Sequence, residues 1–172
     1  FIDRQYSKQG YSCMKRKFVL GASVLLFVIT TQAGVFKDET DRFTGLRAIT
    51  WNSVPSQPKD FALSSYLTIP KQGQQFSRYT LILTTWANEW QYIDCHSIDW
   101  LVDGRPAPYL NAEYTNTAAG SAAIERFSAV VSKPDMIALS SAKLVEFKVC
   151  GTEGKVSESD LAGLRKVAGV LN

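Results

Sequence analysis

Phe61 to Ile69 alternates along its length. Phe61, Leu63, Leu67 and Ile69 share one face with Ser65 among them, and Ala62, Ser64, Tyr66 and Thr68 share the other. A period of two predicts a half-buried antiparallel strand. Tyr79 to Trp86 is apolar on both faces, which suits a central strand. Ala87-Asn88-Glu89 breaks that run, and Trp90–Cys95 and His96–Val102 read as further strands, the second aligning Ile98, Trp100 and Val102. Asp103-Gly104 is a hairpin dipeptide leading into Arg105–Tyr114, whose Pro106 and Pro108 suit a sheet edge. Phe43–Trp51 and Ala122–Val131 have strand composition, with a bulge or bend expected at Thr44-Gly45. Gly34–Asp41 reads as a polar entry, Val54–Asp60 as a loop, Pro70–Ser77 as a turn and Asn111–Ser121 as a polar loop.

The period changes near the C-terminus. Ser132-Lys133-Pro134-Asp135 combines a serine cap, a first-turn proline and an acid, and predicts a helix to about Ala142 with Met136, Ile137 and Leu139 buried. Leu144–Cys150 reads as a strand with Val145, Phe147 and Val149 inward, followed by a turn at Thr152–Lys155. Ser157-Glu158-Ser159-Asp160 repeats the capping pattern, and Leu161, Leu164, Ala168 and Leu171 form one helical stripe. Strands followed by helices predict an α+β fold: a curved antiparallel sheet or small β-sandwich with two C-terminal helices.

The N-terminus has a different character. Met14-Lys15-Arg16-Lys17 precedes an uncharged apolar run of twelve residues, Phe18–Ile29, and then Thr30-Thr31-Gln32-Ala33. That is the order of a secretory signal peptide, with cleavage predicted after Ala33. The rivals are an uncleaved anchor, for which the run is short against roughly 20 residues, and a cytosolic helix. Residues 1–13 read as a non-native upstream extension, 14–33 as the signal peptide and 34–172 as a single domain. The expected location is secreted or periplasmic, with no stable membrane span after cleavage.

This division alters the charge. Residues 1–33 hold five basic residues and one acidic, so totals of 19 and 16 leave 14 and 15 in the remainder, a net of −1. A nearly neutral domain without a basic run argues against nucleic acid as a partner.

Two cysteines remain past the leader, Cys95 and Cys150. An even count in an exported chain predicts a disulfide. The rival makes Cys95-His96 a nucleophile and its base, but neighbours on a strand point to opposite faces.

Other chemistry is thinly represented. With one histidine in the chain, a transition-metal site is not expected. Asp94, Asp99 and Asp103 could line a calcium site, but no calcium-loop spacing accompanies them. No G-x-S-x-G or phosphate-binding glycine loop is present, and Glu89, Asp94, Asp99 and Glu113 are acids without a distinguishing pattern. No catalytic residue and no cofactor is assigned.

Aromatic residues are the most suggestive feature: Tyr79, Trp86, Trp90, Tyr92, Trp100 and Tyr109. On a sheet surface they can stack on sugars or anchor a protein; in a small sandwich they fill the core. Core is the favoured assignment for Trp86 and Trp100. Trp90, beside a strand break, is the one most expected at the surface, and Trp90, Tyr92 and His96 are the candidate ligand contacts.

At WQYIDCHSIDWLVDGRP (Trp90–Pro106) and VEFKVCGTEGKVSESDLAGLR (Val145–Arg165) the chain resembles a group of small exported bacterial proteins, chiefly cyanobacterial, with no assigned activity. The resemblance spans most of the chain from Asp41 onward and brings no catalytic residues. It implies export and supports the Cys95–Cys150 pairing. The expectation is a non-enzymatic binding or structural module of the cell envelope, with an unknown protein or glycan as ligand. The alternative is an envelope hydrolase acting on glycan or peptide, with Asp94, His96 or Asp99 in its site.

Overall fold

The computed structural model describes residues 34–71 and 77–170. The expected signal peptide, its cleavage site, the start at Met14 and the end of the last helical stripe at Leu171 lie outside the described residues. The fold is α+β, and the described residues form ten strands and two helices.

Six strands form one antiparallel sheet: β1 (Val35–Thr40), β2 (Arg47–Asn52), β3 (Phe61–Ile69), β4 (Arg78–Ala87), β7 (Glu113–Ala119) and β8 (Ala122–Val131), in the order β1-β2-β3-β4-β8-β7. The other four, β5 (Ile98–Val102), β6 (Arg105–Pro106), β9 (Val145–Val149) and β10 (Thr152–Lys155), form a second sheet in the order β10-β9-β5-β6. Helix α1 (Lys133–Ser141) lies between β8 and β9 in the chain, and α2 (Glu158–Gly169) follows β10.

The β3 alternation places Leu63 and Leu67 in the core, and β4 is central as expected, between β3 and β8. Asp103 and Gly104 both take positive φ, which sets the tight β5–β6 turn. The Asp103 carboxylate also accepts the Lys143 and Leu144 N–H groups, 2.9 Å each, clasping the turn to the start of β9. Ser132 and Ser157 cap the two helices through the N–H groups of Asp135 and Asp160.

Three segments read as turn or loop are strands. β1, β7 and β10 lie at sheet edges, and nearly all their residues are exposed. Backbone pairing with a neighbour holds them, so their side chains carry no alternation. Conversely, Trp90–Cys95 is not a strand but part of an irregular connection that carries the chain from β4 in one sheet to β5 in the other. Of the expected strand at Arg105–Tyr114, the two residues of β6 and the first two of β7 are extended, and the stretch between them is irregular. Within α1, Met136 and Leu139 are buried, but Ile137 is exposed.

The core lies against one face of the six-stranded sheet. Helix α2 packs over β2 and β3, and α1 packs on α2. The four-stranded sheet reaches the same core through aromatic rings: Phe147 of β9 meets Phe61 of β3 at 4.9 Å between centroids and, within its own sheet, Trp100 of β5 at 5.8 Å. Asp160, buried at the start of α2, accepts the Trp51 indole N–H at 3.0 Å and the Leu63 N–H at 3.1 Å. One carboxylate thus ties α2 to both β2 and β3.

Candidate functional site

The connection between β4 and β5 holds the residues singled out in the sequence. Cys95 and Cys150 are bonded, with their sulfurs 2.09 Å apart, which pins this loop to the end of β9. Trp90 sits at 36% exposure, at the margin of the surface. Tyr92 does not face solvent. It is a core side chain whose ring packs on Phe61 and Phe127 and whose hydroxyl donates to Thr152 Oγ1 at 3.1 Å. His96 is exposed, with its ring stacked on Tyr114 at 4.0 Å and its Nε2 2.9 Å from the Ile93 carbonyl. The three are therefore not on one surface.

Glu125 organises this region. On β8 the inward positions are Ala123, Glu125, Phe127, Ala129 and Val131, so period two carries the acid into the core, where it is fully buried. It accepts the Gln91 and Tyr92 N–H groups at 2.8 and 2.9 Å and the Tyr114 hydroxyl at 2.7 Å. These bonds compensate its desolvation and fix the loop on the sheet. Burial, and next the hydrogen bond to Glu125, push the Tyr114 hydroxyl pKa up to about 12. Placing Glu125 on the alternation of Ala122–Val131 would have exposed this role in the sequence.

The acids considered for catalysis do not gather around His96. Asp94 and Asp99 are exposed, Asp99 lies opposite Lys148 in the strand register, and no hydrogen bond joins either to His96 among the described residues. Among the same residues, no group of three or more His, Cys, Asp or Glu side chains could hold a metal ion.

The other face of the six-stranded sheet, turned away from α2, carries a groove of about 410 Å3. Ile82 and Trp86 of β4, Ala122 and Ile124 of β8, and Val54 and Pro55 of the β2–β3 loop supply its apolar lining. The strand register explains the gathering: Ile82 lies opposite Ser64, and Trp86 opposite Ile124. Trp86, assigned to the core from sequence, is instead half-buried on this face, while Trp100 is in the core at 5% exposure. The distinction was hidden because β4 is apolar on both faces.

Polar groups of the groove are largely committed to one another. The Trp86 indole donates to the Pro55 carbonyl at 3.1 Å, and the Tyr66 hydroxyl to Asn52 Oδ1 at 2.6 Å. Ser64 Oγ accepts the Ser53 N–H at 3.0 Å and donates to the Ser53 carbonyl at 3.2 Å. These bonds hold the Asn52–Pro55 segment as one wall. Arg126 of β8 also lines the groove, and no carboxylate pairs with it among the described residues. Comparisons with family models, curated proteins and solved structures find no match.

Proposed function

We propose that this chain is a non-enzymatic binding module of the cell envelope, and that the groove on the outer face of the six-stranded sheet is its ligand site. The carrying observation is the groove of about 410 Å3 with its apolar lining from Ile82, Trp86, Ile124 and Val54. Small-molecule sites span roughly 300–1,000 Å3 and are mostly apolar with a few placed polar groups. A bare sugar suits this lining less well, since the hydroxyls of Tyr66 and Ser64 already serve internal bonds. The Cys95–Cys150 bond fits an oxidising compartment, which supports export. Among the described residues no helix is long and apolar enough to cross a membrane.

The test uses N-phenyl-1-naphthylamine, a neutral apolar dye whose fluorescence rises on leaving water. The wild-type chain is expected to enhance its emission, and Ile124→Arg, which puts a charge in the groove on a solvent-facing position, to abolish the enhancement while the circular dichroism spectrum is kept. Enhancement unchanged in a folded I124R, or absent in wild type, would remove the groove as the site.

A further inference from the structure

We infer that the groove selects an apolar monocarboxylic acid, with the carboxylate seated on Arg126; this deepens the groove reading above and rests on it. Alternation along β8 puts Arg126 on the same outer face as Ile124, and the register sets it between Thr84 of β4 and Thr115 of β7. Its side chain is half-buried beside apolar surface. Two other guanidiniums of the fold show what such a group donates to. Arg47 pairs with Asp38 at 2.6 Å, and Arg165 donates to the Ser140 and Ala142 carbonyls at the end of α1. Among the described residues, Arg126 has neither kind of partner. Glu113 shares its face two positions along β7 from Thr115, yet forms no ion pair with it.

The complementary ligand follows from these features. A guanidinium presents a planar fork that matches a carboxylate through two parallel hydrogen bonds. Arg126 supplies one positive charge, and an aliphatic or aromatic body fills the space over Ile82, Trp86 and Ile124. A doubly charged phosphate would leave a charge uncompensated against the apolar wall, at a desolvation cost. A neutral ligand of the same body would leave the Arg126 donors without an anion. The chemistry is that of a medium-chain fatty acid or an aryl acid.

Titration calorimetry of the full chain with octanoate and with 1-octanol, both below self-association, tests the inference. Octanoate should bind at least tenfold tighter than octanol, as expected for hydrogen bonds to a charged group. Arg126→Gln should remove that preference while octanol binding persists, which also reports an intact groove. Arg126→Lys should keep part of the preference, having the charge without the fork. Equal affinities in wild type, or an undiminished preference in R126Q, would overturn the carboxylate assignment and leave the apolar groove standing. Neither compound binding, with no dye enhancement either, would overturn both.

Discussion

Gly163 is where the core is least able to tolerate a change. The Trp51 ring crosses α2 so closely that a Cβ at Gly163 would lie 2.0 Å from Trp51 Cδ2. Trp51 is 4% exposed, and its indole N–H is held by Asp160, so the ring has no easy way aside. Alanine favours a helix over glycine by about 1 kcal/mol, but overpacking a core costs about 1–3 kcal/mol. Gly163→Ala is therefore expected to lower the urea midpoint, and an equal or higher midpoint would mean the indole moves freely. Tyr114 supplies a second residue-scale test. Its folded pKa, raised to about 12, lies above the ordinary tyrosine value near 10. The unfolded chain thus loses this proton first, so the contribution is full below about pH 10 and is lost as pH rises through the folded pKa. Tyrosinate absorbance should show a late component near pH 12 that Tyr114→Phe removes; a titration complete by pH 10.5 would deny the Tyr114 hydroxyl its buried place beside Glu125.

Elements differ in how much of themselves they write into the chain. Alternation locates β3 to the residue, and strand composition gives β8 the same bounds that it has in the fold. β1, β7 and β10 are held by backbone pairing at sheet edges, and their polar, exposed side chains carry no such pattern. The helix caps at Ser132 and Ser157 were legible because a serine three residues before an acid has a local mechanism. In the β4–β5 connection, Trp90–Cys95 reads as a strand because its aromatic residues have strand propensity. Its shape comes instead from Glu125, about 33 residues away in sequence from Tyr92, and from the disulfide. The bond spans 55 residues of chain, for which loop-closure entropy gives about 4 kcal/mol. Cys95→Ser with Cys150→Ser should lose a stability of that order in urea unfolding and speed hydrogen exchange at Trp90–His96. Unchanged stability and exchange would show that the Glu125 bonds hold the loop unaided.

At the scale of the whole molecule, the six-stranded sheet divides the labour between its faces. One face meets α2 and the four-stranded sheet in the core; the other carries the groove. The α+β class was readable from the order of alternating and helical segments. The groove was not, because it assembles Asn52–Pro55, Ser64 and Tyr66, Ile82–Trp86 and Ala122–Arg126 from four separated segments. Trp90, Tyr92 and His96 are neighbours in the chain but face different surroundings. Trp86 reads as core because large aromatic side chains are expected to fill a small sandwich, but its place on the outer face of β4 puts it in the groove.

Amide and indole chemical-shift mapping of the full chain during an octanoate titration tests the groove most directly. Saturable shifts are expected to cluster at Asn52–Pro55, Ser64–Tyr66, Ile82–Trp86 and Ala122–Arg126, with the Trp86 indole N–H among them. Shifts centred on Trp90–His96, or none at saturating ligand, would contradict the groove assignment.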